Sequence, residues 1–485
     1  MSLLPPALLG IDLGTTRVKV GLITPDGEPL GIARAGYPLD SNPTTGRAEQ
    51  HPDDWWRGLR SAVRELRASE RAEVIGIAIA GHGPTMVPVA RDGRPTGPAM
   101  TWLDSRAREE AAELERVTGL RGWSLGVLPA ALWLSRHEPA AAARADWFLN
   151  SWEALALRLT GRAATTLVPS QPFPDAGTIA AAGLDPARIA PTFPTGSVLG
   201  AVTPQAATEL GLIAGTPVVA GLVDAFASFH GARMIEPGDA IDVGGAAGGF
   251  GVYWDHHVEA AGSFSTPAPL AGLWSVGGAM AATGSALDWF AGAVLGGGRS
   301  IDELIAEVAA TNPGADGLVF LPYLAGERSP LWDPNARGVL FGLTLGHGRA
   351  HLTRAILEAA ALAIRHVAEP ILAAGVEVTA MRVCGGPAHS EAWNRLKADI
   401  TGFPVEVPRV LETTVVGAAI VAAVGVGAHP DVPSAIRAMT AIERRIDPDP
   451  AVRETYDRAY ATYTALYPAV GSLEAAARQP VGAGA

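Results

Sequence analysis

Lysine is almost absent from this chain of 485 residues. Lys19 and Lys397 are the only lysines among 37 basic residues; the rest are arginine. A phosphate loop of the Gly-Lys-Ser/Thr type needs Lys directly after Gly, so that backbone amides and an ammonium reach the phosphates together. Lys19 follows Val18 and Lys397 follows Leu396, so the chain has no such loop. A Schiff base could form on only one of these two. Cysteine is equally scarce: Cys384 stands alone, which excludes disulfides and cysteine-based metal sites. Positive charge is outweighed, with 49 acidic residues and a net charge of −12, against nucleic acid or an anionic membrane as partner. The longest apolar tract near the C-terminus, 415–428, is too short and too Gly-rich to span a bilayer. The opening MSLLPPALLGID lacks a basic stretch before its apolar residues, as a secretory signal would have. A cytoplasmic location and no membrane partner are expected.

What is present is an ordinary core-forming composition, 48% hydrophobic and 18% charged, long enough for two to four domains. Residues 7–24 read as two strands around a tight Gly-Thr-Thr turn, and Pro25 to Gly27 turns the chain into a third. Helical periodicity starts at Trp55, and Val74 to Ala80 is a continuous apolar run, as a strand covered on both faces requires. Helices are expected near 104–117, 129–136 and 151–159, and irregular structure over 161–196. The second half repeats the pattern, with strands at 217–221 and 381–386 and helices near 225–232, 284–294, 301–310, 349–374, 389–400, 413–424 and 449–467. Alternating strands and helices make the class α/β.

An approximate internal echo is the most informative feature. Ile11-Asp12-Leu13-Gly14-Thr15-Thr16 recurs as Ile241-Asp242-Val243-Gly244-Gly245-Ala246, 230 positions later. A Gly-rich turn after a strand exposes backbone N–H groups and lets an anion approach closely. The Asp before it can hold a hydrated Mg²⁺. A third turn, Gly385-Gly386-Pro387-Ala388, precedes a helix whose N-terminus can seat a phosphate. Together the three suggest a duplicated phosphate-clamping fold that needs no lysine.

With these turns, the segments IDLGTTRVKV, IAIAGHGPT, VVAGLVDAFASFHGA, FLPYLAGERSP and CGGPAHSEAWNRLKADITG resemble the FGGY carbohydrate kinases. So does GVLFGLTLGHGRAHLTRAILE, over 338–358, which resembles that family's C-terminal signature. The resemblance runs from about residue 7 to about 430 and is strongest to the xylulokinase-like branch. It implies two actin-like ATPase (ribonuclease H-like) lobes around a central cleft: an N-terminal sugar-binding lobe over 1–234, a nucleotide lobe over 235–446, and a C-terminal helix with a flexible tail over 447–485. It implies transfer of a phosphoryl group from ATP, with Mg²⁺, to a ketose or polyol. D-xylulose is the first expectation, and D-ribulose or a catalytically weakened binding protein the alternatives. A small sugar is the expected partner, with a homodimer left open.

By the same resemblance Asp224 is the general base. Gly81, His82 and Asp224 touch the sugar; Gly14, Thr15, Thr16, Gly244, Gly245, Gly284 and Gly386 hold the nucleotide; Asp12 holds Mg²⁺ through water. Trp102, Asp104 and Arg106 serve cleft architecture, and Glu327 and Arg328 form a structural pair. Two departures stand out. Ala246-Ala247 replace the Thr-Ser of many relatives, and Ala130 replaces a lysine of the N-terminal signature. Two short patterns compete. Gly122-Trp123-Ser124-Leu125-Gly126 fits a serine nucleophile elbow but lacks the required strand before it. Asp255-His256-His257 reads as an exposed turn before it reads as a metal site.

Overall fold

The run PALLGIDL cannot face water on either side, and in the computed structural model it does not: every residue after Pro6 is buried in β1 (Pro6–Leu13). The structure describes residues 4–477 apart from 43, 67–70 and 169. Contacts divide the chain into two units. The first comprises residues up to Arg233 with Ala268–Ala271 and Glu412–Ala441; the second comprises Met234–Pro267, Gly272–Leu411 and the chain from Ile442.

In the first unit β1 pairs antiparallel with β2 (Arg17–Ile23), which pairs with β3 (Pro29–Gly36). On its other edge β1 runs parallel to β4 (Glu73–Gly81). With β5 (Val198–Ala201) and β6 (Pro217–Val223) the order is β5-β6-β4-β1-β2-β3. Alternation decides the faces of β1. Leu9, Ile11 and Leu13 join a core cluster with Trp55, Leu59 and Val63 of the helix Pro52–Leu66. Each such side chain fully buried is worth roughly 1.5–3 kcal/mol. Gly10 faces the other way, toward the helix Thr413–Gly425, so closely that a Cβ there would lie 2.1 Å from the Val415 carbonyl oxygen.

The second unit repeats the plan. Strands β7 (Asp239–Val243), β8 (Gly248–Trp254), β9 (Phe264–Pro267), β10 (Trp274–Met280), β11 (Ala380–Cys384), β12 (Val405–Pro408) and β13 (Ile442–Ile446) are ordered β9-β10-β8-β7-β11-β12-β13. The run β10-β8-β7-β11-β12 matches β3-β2-β1-β4-β6 in order and direction. The echo between Asp12 and Asp242 is therefore structural: both aspartates stand near the ends of equivalent central strands.

Two sequence expectations need correction. The division at 235–446 fails for 412–441, which packs in the first unit. Close approach explains this: a Cβ on Gly417 would lie 1.8 Å from the Ala227 carbonyl oxygen, and one on Gly231 1.9 Å from that of Thr413. The C-terminal helix Arg453–Ala477 packs back, with Tyr456 and Tyr463 buried in the core of the second unit. The flexible tail assigned beyond it lies outside the described residues. The stretch 161–196 is not irregular throughout. Strands Thr165–Leu167 and Thr192–Pro194 pair in parallel and Ala176–Ala181 is helical, each piece too short to leave a periodic signal.

Candidate active site

The first turn, Gly14 to Thr16, is braced from several directions. The Gly14 N–H donates to the Arg17 carbonyl at 3.1 Å, and the Tyr37 N–H to the Thr16 carbonyl at 3.1 Å. The Tyr37 hydroxyl donates to the Gly14 carbonyl. Gln50 Nε2 donates to the Thr15 carbonyl at 2.7 Å. Trp102 Nε1 donates to Thr15 Oγ1 at 2.9 Å. An indole only donates, so the hydroxyl hydrogen of Thr15 is left for another acceptor. With its carbonyls and the Gly14 amide engaged, the turn keeps the hydroxyl hydrogen of Thr15 and the exposed Thr16 for an anion.

Asp12, one strand position before Leu13, is 7% exposed. Lys19 Nζ lies 3.7 Å away but only 2.6 Å from Glu412, so it is shared. Burial pushes the Asp12 carboxyl up to about 6 against the pull of Lys19, and Glu412 adds to the rise. Asp224 opens the helix Asp224–Gly231 directly after β6, where the Ala225 N–H donates to its Oδ1 at 2.7 Å. Its carboxyl is pushed up to about 7 by desolvation first and by the charge of Asp12 second. The Tyr37 hydroxyl is raised by burial and by the charges of Asp12 and Asp224. The fold thus brings the predicted Asp12, Gly14, Thr15, Thr16 and Asp224 into one electrostatic neighbourhood, with Tyr37 among them.

Gly81 and His82 pack into the first unit. Both are buried, and His82 is 1% exposed. His82 Nδ1 lies 2.9 Å from Thr85 Oγ1, its ring meets Trp55 edge-on at 5.3 Å, and Nε2 is enclosed. Burial lowers its pKa to about 3, so the ring is neutral. A Cβ on Gly81 would lie 2.6 Å from Ser151 Oγ, so this glycine lets the helix Ser151–Thr160 approach β4. In this conformation neither residue offers a surface to a ligand. A Gly-His-Gly loop reads the same in sequence whether it faces outward or carries a helix.

In the second unit the four predicted glycines converge. The Gly284 N–H donates to the Gly245 carbonyl at 3.0 Å, and the Thr283 and Ser285 amides both donate to that of Ala246. A Cβ on Gly284 would lie 2.4 Å from the Gly245 oxygen, and one on Gly385 1.9 Å from the Gly244 oxygen. Gly386 is exposed, with open space where its side chain would be. The side chains of Ala246 and Ala247 carry no hydroxyl, so at these two positions only backbone can meet an anion.

Other candidates resolve into architecture. Arg106 Nη2 lies 2.6 Å from Asp104 and 2.5 Å from Glu49, and its guanidinium sits 4.4 Å from the Trp133 ring centroid. The side chains of Glu327 and Arg328 bond backbone rather than each other, and the Arg328 amide is one of the donors to Glu327. Glu327 Oε1 accepts from the Ala281 amide at 2.8 Å, and Arg328 Nη2 donates to the Met280 carbonyl at 2.5 Å. Ser124 sits in a short 3₁₀ turn after a helix, not after a strand. Among the described residues no group of three or more His, Cys, Asp or Glu could hold a metal, and His256 bonds its neighbour Asp255. Sequence reasoning missed Tyr37 and Gln50, whose contacts join positions 23 and 35 residues apart. Neither left a local signal: Tyr37 simply follows the strand Pro29–Gly36.

The family model for the N-terminal domain of FGGY carbohydrate kinases matches residues 7–170, and that for the C-terminal domain matches residues 244–426. Xylulose kinase of Escherichia coli (strain K12) is 31% identical over 418 residues, covering 81% of this chain and 84% of that protein. Gluconokinase of Bacillus subtilis (strain 168) is 27% identical, covering 85% and 86%. The crystal structure of xylulose kinase from Rhodospirillum rubrum superposes with a TM-score of 0.80 at 32% identity, over 96% of this chain and 99% of that one.

Proposed function

The chain belongs to the FGGY family of carbohydrate kinases, and from that premise we propose that it transfers the terminal phosphoryl group of ATP to a hydroxyl of a pentulose, D-xylulose first. One observation carries the mechanism: a desolvated carboxylate, Asp224, stands at a strand end in the same neighbourhood as Asp12 and the Gly14–Thr16 turn. A carboxyl pushed up to about 7 is matched to taking a proton near neutral pH. Asp224 orients the sugar hydroxyl and accepts its proton as the oxygen attacks phosphorus. The Thr15 hydroxyl, its oxygen already engaged by Trp102, donates to a phosphoryl oxygen, and the adjacent amides share that charge. In the second unit the turns at Gly244–Gly245 and Gly386, with Gly284, serve nucleotide binding through their amides.

Asp12 fits a hydrated Mg²⁺. It is a buried carboxylate only partly compensated by a shared lysine, which is why its pKa rises. Mg²⁺ keeps most of its water and binds through one or two carboxylates plus phosphates, so no protein cage is needed. When bound, the ion neutralises charge on the phosphates.

The sugar assignment rests on relatives named xylulose kinase at 28–31% identity over most of the chain. Gluconokinases at similar identity make gluconate the rival to include. ADP release across D-xylulose, D-ribulose, L-xylulose, gluconate and glycerol tests the reading. The highest kcat/KM is expected with D-xylulose. A preference of tenfold or more for gluconate would replace the sugar, and no sugar-dependent release at all would favour a binding protein.

A further inference from the structure

Both lysines of the chain end on the two echoed aspartates, but in different ways. Lys19 is shared with Glu412, and its side chain is 24% exposed. Lys397 Nζ lies 2.5 Å from Asp242 Oδ2, with side chains 2% and 4% exposed. The ring of Trp393 stands beside the ammonium, 5.4 Å to its centroid. Removing two charges from water is costly, and apolar residues of similar volume usually serve stability as well or better. The best-attested use of such a pair is to fix register.

The elements joined here are the ones that carry the nucleotide turns. Asp242 directly precedes Val243 and Gly244 at the end of β7, and its carbonyl accepts from Cys384 Sγ at 3.6 Å. The Gly244 N–H donates to the Cys384 carbonyl at 3.2 Å. Lys397 lies on the helix Glu391–Thr401, which follows the third glycine turn. The ion pair therefore ties the strand entering the second turn to the helix leaving the third. Where Asp12 is left undercompensated, Asp242 has an ammonium of its own. The side chains of Ala246 and Ala247 have no hydroxyls with which to hold an anion. More of the task then falls to backbone placement, and a rigid mutual position of the two turns serves it.

We propose that Lys397 and Asp242 form a positioning pair for the nucleotide turns, setting the second turn against the third so that their amides are preorganised for phosphate. This rests on the nucleotide reading of those turns. Lys397→Met alone leaves a buried, unpaired carboxylate and is expected to lower Tm by roughly 10 °C. The charge-free pair Asp242→Val/Lys397→Met restores folding and separates the roles. In that double variant the KM for ATP is expected to rise about tenfold or more, with Tm within a few degrees of the parent and the KM for sugar within about twofold. Hydrogen exchange of peptides covering 240–250 and 380–392 without nucleotide is expected to speed up. A double variant with parental KM for ATP and parental exchange overturns the proposal. If the parent protein binds neither ATP nor ADP, the nucleotide reading fails on its own. The grip of the pair on the two turns is then judged by exchange alone, and unchanged exchange sinks it. A double variant that does not fold assigns the pair to stability and equally overturns the positioning role.

Discussion

Asp224 and His82 show how one physical term, burial, acts on residues of opposite charge type. Desolvation favours the neutral form of each, raising the carboxyl to about 7 and lowering the imidazole to about 3. For Asp224 the consequence is catalytic. The base must be ionised, so kcat/KM is expected to fall as pH drops below about 7. Asp224→Asn should lower kcat by roughly 10²–10⁴ without loss of Tm. A steady-state pH profile and a melting curve check this together, and a variant keeping near-parental turnover would remove Asp224 from its role. The place of Asp224 between an apolar strand and a helix was legible in sequence, but the role of base came only from the family resemblance, because the same pattern is a common helix cap. The burial of His82 was not legible, because sequence does not say whether a loop opens outward. Only the packing of Trp55, Thr85 and Ser151 around it does.

At the scale of elements, the helix Thr413–Gly425 carries the main lesson. Its near-continuous apolar character marks it as buried but not against what, because helices buried on all sides have no preferred face. The partner is β1 together with the helix Asp224–Gly231, and glycines set the distance. Gly417→Ala would press a methyl group against the Ala227 carbonyl, so a loss of about 2–3 kcal/mol is expected in urea titration. Gly471→Ala, in the helix Arg453–Ala477 with nothing within 4 Å of a new Cβ, is the control. It should gain about 0.5–1 kcal/mol through helix propensity. Equal effects at the two sites would show that close approach is not what holds the 413–425 helix. Most strands and long helices were legible from apolar runs and periodicity. The short strands at 165–167 and 192–194 were not, because three residues cannot display a period.

For the whole molecule, the buried titratable groups pull stability in opposite directions with pH. His82 and His230, lowered to about 3 and about 4, contribute stability that is fully present above pH 6.5 and lost as pH falls toward those values. Glu327, raised to about 7 by burial, contributes stability that is present below about pH 4.5 and lost as pH rises through 7. Relative to the parent, His82→Asn should therefore gain about 2 kcal/mol between pH 7 and pH 5. Glu327→Gln, which keeps a carbonyl acceptor for the Ala281 and Arg328 amides, should gain about 2 kcal/mol between pH 5 and pH 8. Urea titrations at the three pH values test both signs, and slopes of the same sign would refute the assignment. The alternation of strands and helices, the duplicated turns and the family resemblance were open to reading in the chain itself, since apolar runs and glycine spacing are local properties. Three matters waited for tertiary structure: the membership of 412–441 in the first unit, the burial of Gly81 and His82, and the ion pairs Lys397–Asp242 and Lys19–Glu412. Each joins positions far apart in the chain, Lys397 lying 155 residues from Asp242 and Lys19 393 from Glu412. The free energy that selects such contacts comes from excluding water between surfaces, and no local pattern encodes which surfaces those will be.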